Sequence, residues 1–104
     1  MTADALLKEL DENALSAADK YKGKMVQVTG TLTNIDSSGD YFSLGPTKGD
    51  SVTLTGVQVF LDEGQRSTVA GFKKGQKITV VGEMRGVGEV IGYTMNAASM
   101  KVTT

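Results

Sequence analysis

Carboxylates are the groups this chain has left for holding a metal ion or moving a proton. It contains no cysteine and no histidine, which removes disulfides, thiolate chemistry, Cys/His zinc sites and every triad that needs an imidazole. Two adjacent acidic pairs remain, Asp11-Glu12 and Asp62-Glu63. A hard cation wants several oxygens in loop geometry, and neither pair lies in an EF-hand pattern. A glycosidase needs carboxylates opposed across a cleft, which adjacency in sequence does not supply. The glycines of GVGEVIG, residues 86–92, lie between two strand-like segments, not between a strand and a helix, so they fit bends better than a phosphate cradle. No catalytic residue, metal site or cofactor is expected, and the protein reads as non-enzymatic.

Binding chemistry has more material. Six lysines form two loose groups, Lys20, Lys22 and Lys24, then Lys73, Lys74 and Lys77. Brought onto one surface they would contact phosphate. Kept apart, they are ordinary turn lysines that aid solubility and protect strand edges. Asp11, Asp19, Asp62 and Glu63 would dilute their field on a shared surface. The net charge of -1 and pI of about 5.3 argue mildly against strong non-specific nucleic-acid binding, whose affinity comes mostly from phosphate neutralisation.

The elements that must position these groups follow from periodicity. Over Thr2–Lys22, Leu6, Leu10, Ala14, Ala17, Ala18 and Tyr21 share one helical face. Thr2 is a fitting N-cap, Asp4 suits the first turn, and Gly23 is a natural stop. The DEN at 11–13 weakens the middle, so the segment reads as one helix or as two, with Asp11 or Asn13 capping the second. Lys24–Asp36 alternates as a first strand, with Val26, Val28, Gly30 and Leu32 on one side. Gly30 predicts a bulge or bend in mid-strand, and the alternation slips by one between Leu32 and Ile35. A long bent strand of this kind can serve two sheets.

A turn at Ser37–Asp40 leads to a short second strand, Tyr41–Leu44, with Phe42 and Leu44 inward. The third strand reads as Ser51–Leu61, with a bulge at Gly56, Val52, Leu54, Val57, Val59 and Leu61 inward, and Gln58 and Phe60 outward. Asp62–Gly71 is a loop with at most a short helix, and Val69 and Phe72 are available as anchors. The fourth strand is Lys77–Arg85, with Ile78, Val80 and Met84 inward and Gly82 in mid-strand. Gly86-Val87-Gly88 reads as a turn. The fifth strand runs from about Glu89 to Val102, irregular at Asn96–Ala98, with Met95, Met100 and Val102 in the core.

The chain is 104 residues, one domain's worth. Five short strands with mid-strand glycines predict a mainly β fold, a five-stranded OB-fold (Greek-key) barrel over 24–102, preceded by an N-terminal α-helix over 1–22. Another small barrel or sandwich is the rival. On an OB barrel the usual binding face is built from the second and third strands. Here it would show Tyr41, Ser43, Gln58 and Phe60, with Thr53 and Thr55 beside them. Aromatics on such a face stack bases. The opposing reading puts Phe60 under the N-terminal helix or on Arg66.

The runs AADKYKGKMVQVTGTLTNID, GVQVFLDE and FKKGQKITVVGEM resemble the tRNA_anti-like OB-fold family of bacterial proteins. The matching elements are Tyr21–Lys24, Val26–Gly30, Lys73–Gln76 and Val80–Gly82. The resemblance implies an OB barrel and no catalytic residue. Similar proteins often carry cysteines in the third and fifth strands. This chain has Val59 at one such position, so no disulfide role carries over. Many similar proteins are exported, which implies a cell-envelope or secreted location, with the cytoplasm as the alternative. No apolar run approaches a membrane span, and the first residues do not read as a signal peptide. The function expected is a binding module for a protein or glycan partner, with single-stranded nucleic acid as the alternative ligand.

Overall fold

Asn13 divides the N-terminal helical segment. Its backbone N–H closes α1 (Ala3–Glu12) on the Glu9 carbonyl, and its Oδ1 accepts from Ser16 N–H at 3.0 Å to open α2 (Ala14–Tyr21). Thr2 caps α1 by accepting from Ala5 N–H at 3.2 Å. Of the two capping candidates, Asn13 has the role because its side chain meets an orphan donor of the new helix. Ala3, Leu6 and Leu10 of α1 and Ala17 and Tyr21 of α2 are buried. The computed structural model describes residues 1–47, 56–88 and 92–103.

The strands are β1 (Met25–Ile35), β2 (Tyr41–Gly45), β3 (Gly56–Phe60), β4 (Lys77–Gly88) and β5 (Gly92–Val102). They close a barrel in the order β1-β2-β3-β5-β4. β3 and β5 run parallel; every other neighbouring pair is antiparallel. β1 serves two partners. Met25–Thr31 pair with β4, and Thr31–Ile35 pair with β2.

The irregularities differ in part from expectation. The β1–β4 register passes through Gly30 without a break, and the bulge falls between Leu32 and Asn34, where the alternation slips. Gly30 is needed for close approach: a Cβ there would lie 2.9 Å from the Gly45 carbonyl oxygen and from Leu44 Cβ. Gly56 is the first described residue of β3, and the bulge expected there involves residues outside the described ones. Gly56 lies opposite Gly92, and a Cβ on Gly92 would come within 2.3 Å of the Gly56 carbonyl oxygen. Gly86-Val87-Gly88 continues β4, paired with Thr94, Tyr93 and Gly92, because β5 bends with it through two register shifts. One of those shifts skips Ala98, inside the irregular stretch expected. Val52, Leu54, Thr53 and Thr55 lie outside the described residues.

Leu32, Phe42, Leu44, Val57, Val59, Ile78, Met84 and Met95 fill the interior. Leu61 lies past the end of β3 and is only half-buried. Val102 is 38% exposed, not a core residue; Tyr93, fully buried, is the largest core side chain instead. Its hydroxyl donates to the Leu6 carbonyl at 2.6 Å, and burial raises its pKa to about 12. The Tyr21 ring meets it edge-on at 6.2 Å. Helices α1 and α2 therefore cover one end of the barrel. The β3–β4 connection covers the other with a 3₁₀ turn (Glu63–Gln65) and α3 (Arg66–Ala70), which buries Val69. Phe72 packs edge-on against Phe42 at 6.3 Å.

One polar clasp ties the two helices. Glu9 accepts from Lys20 Nζ at 2.7 Å and from the Tyr21 hydroxyl. The Lys20 bond first, and the Tyr21 bond second, hold the Glu9 carboxyl below its ordinary range. A depressed folded pKa stabilises the fold above the unfolded carboxylate pKa, and that stabilisation is lost as pH falls through the folded value. Thermal melts followed by circular dichroism at pH ~7 and pH ~3 should therefore show a smaller acid-induced loss in Glu9→Gln than in the parent. An equal loss would assign the acid sensitivity to other carboxylates.

Candidate ligand-binding face

Strand alternation turns Phe42, Leu44, Val57 and Val59 inward, which leaves their neighbours outside. Tyr41 and Phe60 are directly opposite across β2 and β3, with ring centroids 5.3 Å apart and planes 35° from parallel. Ser43 and Gln58 form the next outward pair. All four residues expected on this face lie together on it. Phe60 is 36% exposed and its ring meets Tyr41. Arg66 is engaged elsewhere, donating to the Ser38 carbonyl at 3.1 Å.

The register extends the face beyond the expected residues. Asn34 pairs with Ser43, Thr94 with Gln58, and Asn96 with Phe60. An aromatic pair is thus bordered by uncharged side chains that both donate and accept hydrogen bonds. The alternation of buried Tyr93 and Met95 is the signal that puts Thr94 and Asn96 outside. Asn34 carried no such signal, since the bulge at Thr33 turns it outward.

The end of the face nearest the aromatics is built by the β1–β2 turn. Ser38 donates to the Asp36 carboxylate through its hydroxyl, and through its N–H at 3.1 Å. These bonds, the hydroxyl's first, lower the Asp36 pKa. Gly39 has φ +79°, and the Arg66 side chain occupies the space a Cβ would need, with Nε 2.5 Å from that position. Leu61 N–H bonds the Asp40 carbonyl at 2.9 Å. The turn is thereby fastened to the connection that follows β3.

Two hollows flank Leu61 here. The larger, about 470 Å³, has Ile35, Leu61 and Val69 in its wall and Asp36 and Arg66 at its rim. The smaller, about 300 Å³, lies among Phe60, Leu61, Asp62 and Asn96. Charged residues of the segments 35–41 and 60–70 are Asp36, Asp40, Asp62 and Glu63 against Arg66, a formal net of −4 + 1 = −3.

The two lysine groups lie at opposite ends of the β1–β4 ladder. Lys24 enters β1 beside Met84, whose N–H bonds its carbonyl at 2.9 Å. Lys77 pairs with Thr31 at the far end of the same ladder, and the Lys73–Lys74 turn is tied to Leu32 through Gly75. Seven residues of strand separate the groups, roughly 23 Å at about 3.3 Å per residue. That is well beyond the screening length of about 8 Å at physiological salt. Lys20 is further occupied by Glu9 at 2.7 Å. The acidic pairs Asp11-Glu12 and Asp62-Glu63 are exposed, and no group of three or more potential metal ligands occurs among the described residues.

The tRNA_anti-like family model matches residues 1–96. The chain belongs to the tRNA_anti-like family. Its barrel is shared with solved structures of low identity, which show the fold alone. A lipoprotein of Klebsiella pneumoniae, described as a candidate nucleic-acid binder, superposes with a TM-score of 0.67 at 21% identity, covering 100% of this chain and 92% of that one. OBody AM2EP06, bound to hen egg-white lysozyme, gives 0.64 at 15% identity, over 82% and 84%. A small single-stranded DNA-binding protein from Streptomyces coelicolor gives 0.60 at 14% identity, over 79% and 95%. No curated protein sequence matches the chain. In this tRNA_anti-like protein no helix among the described residues is long and apolar enough to cross a membrane. The family is of the OB-fold binding type, and the candidate face is the one such barrels use.

Proposed function

We propose that this tRNA_anti-like protein is a non-catalytic binding module that takes an uncharged or basic oligomeric partner, a protein segment or a glycan, on its outer β2–β3 face. The observation that carries the reading is the Tyr41–Phe60 pair set among Ser43, Gln58, Thr94 and Asn96, with acidic residues at its end and the lysine groups apart from each other. Aromatic rings give a flat apolar body at low entropic cost, and amide and hydroxyl side chains match the donors and acceptors of a sugar or a peptide. Asp36, Asp40 and Asp62 lie in the segments that flank the pair in sequence, and a phosphate chain laid over it would be repelled by them. The fold shared with a Klebsiella lipoprotein supports placing the partner in the cell envelope.

Single-stranded nucleic acid is the second reading. It is favoured by the same aromatic pair, since every base has a face to stack, and by the fold shared with a single-stranded DNA-binding protein.

Fluorescence-anisotropy titrations with a labelled chito-oligosaccharide, a labelled peptide and a labelled single-stranded oligonucleotide, at low and moderate salt, separate these readings. Tyr41→Ala and Phe60→Ala should each weaken the genuine ligand by about 1–2 kcal/mol, roughly five- to thirtyfold. Glycan or peptide binding that survives added salt supports the first reading. Oligonucleotide binding that weakens with salt, and weakens again in both variants, replaces it with the second.

A further inference from the structure

We infer that the two hollows beside Leu61 receive two side chains of an extended, basic partner polypeptide. The inference rests on the face proposed above and narrows its ligand to protein. Leu61 is the wall common to both hollows. Side chains two positions apart on an extended chain point the same way and lie about 6.6–7 Å from each other, a spacing that straddles one leucine. The larger hollow is walled by the aliphatic side chains of Ile35, Leu61 and Val69. That lining suits a branched aliphatic side chain. A sugar ring lies flat on an aromatic face instead, and would use Tyr41 and Phe60 without entering.

Charge selects the flanks of the partner. The surrounding segments carry Asp36, Asp40, Asp62 and Glu63 against Arg66 alone. Lysine or arginine residues on either side of the inserted pair would meet these carboxylates, while a partner of like charge would be repelled. Arg66 already gives one bond to Ser38 and holds Gly39, so the larger hollow is walled by a fastened turn on one side and α3 on the other. A partner finds it formed, with little ordering to lose on binding.

The test uses a labelled seven-residue peptide, two leucines two positions apart between paired lysines, and a control with glutamates in place of the lysines. Ala70 and Ser67 are exposed residues lining the larger hollow. Ala70→Trp and Ser67→Trp, three residues apart on the face of α3 that lines it, each fill it from a different position, and folding of both is checked by circular dichroism. The lysine peptide should bind saturably and at least about tenfold more tightly than the glutamate peptide. Either tryptophan variant, once shown folded, should weaken it by about tenfold, and Tyr41→Ala should weaken it too. Binding that falls in Tyr41→Ala yet is unchanged in the folded tryptophan variants overturns the inference and leaves the face standing. Equal binding of the two peptides also overturns it. So does a protein that ignores both peptides but binds the chito-oligosaccharide or the oligonucleotide through Tyr41. If none of these probes binds, the inference and the proposed face fall together.

Discussion

Tyr93→Ala should cost about 3–5 kcal/mol, the usual penalty for truncating a buried aromatic to alanine. The ring is the largest side chain in the core and is wholly inaccessible to solvent. It touches Tyr21 edge-on, and its hydroxyl bonds a carbonyl of α1. Its removal opens a cavity at the place where both helices rest on the barrel. A domain of this size has about 5–15 kcal/mol of stability in total, so the loss is a large share of it. Each kcal/mol lowers Tm by about 4–8 °C. Tyr93→Phe keeps the ring and loses one hydrogen bond, about 1 kcal/mol. Thermal or urea denaturation of both variants checks the difference. Equal effects in the two would mean that the hydroxyl, not the ring, holds the helices.

Gly82→Ala should be nearly as damaging, although it adds a single methyl group. A Cβ at Gly82 would stand 2.1 Å from the Asn96 carbonyl oxygen and 2.9 Å from the Asn96 carbonyl carbon. Those are backbone atoms of the neighbouring strand, so no rotamer change relieves the overlap; β5 itself has to move. Overpacking alone costs about 1–3 kcal/mol, and displacing the ladder loses hydrogen bonds besides. A total of about 3 kcal/mol or more follows. Gly88 provides the control. It lies in the same strand, has no positive φ, and a methyl group added to it would meet nothing within 4 Å. Gly88→Ala should be neutral or stabilising by up to about 1 kcal/mol, through the unfolded chain alone. Comparable destabilisation by both substitutions would count against the close approach of β4 and β5.

The barrel was legible in the sequence where side chains alternate. Phe42 and Leu44, Val57 and Val59, and Ile78 and Val80 all face inward as their spacing implies. The outward set Tyr41, Ser43, Gln58 and Phe60 follows from the same alternation. What alternation does not carry is the reason for a glycine. Gly30 has the sequence look of a bulge, yet it serves a close approach between strands, a relation absent from any local window. Tyr93 is hard to see as core because it follows GVGEVIG, a stretch whose glycines read as bends. Gly88 and Gly92 in fact pair with each other, one in each of the last two strands. The lysine groups are visible as groups, but their separation needs the β1–β4 register. The hollows beside Leu61 need tertiary structure altogether, since they join β1, the β1–β2 turn and α3.

The position of β5 bears on how the protein can be made. It is the last of the five strands to be synthesised, yet it lies between β3 and β4 in the closed order. A nascent chain that has released everything up to Gly88 still exposes one hydrogen-bonding edge of β3 and one of β4. The barrel closes only when β5 slides into that gap, ending with the Thr103 N–H on the Lys77 carbonyl at 2.7 Å. Closure of the barrel is therefore deferred until β5 has been made, and it depends on contacts between distant parts of the chain, which form slowly. A product cut short before Gly92 would keep both edges open. Such edges pair with other chains, so a ribosome that stalls there releases material that aggregates and not a weaker version of the binding module.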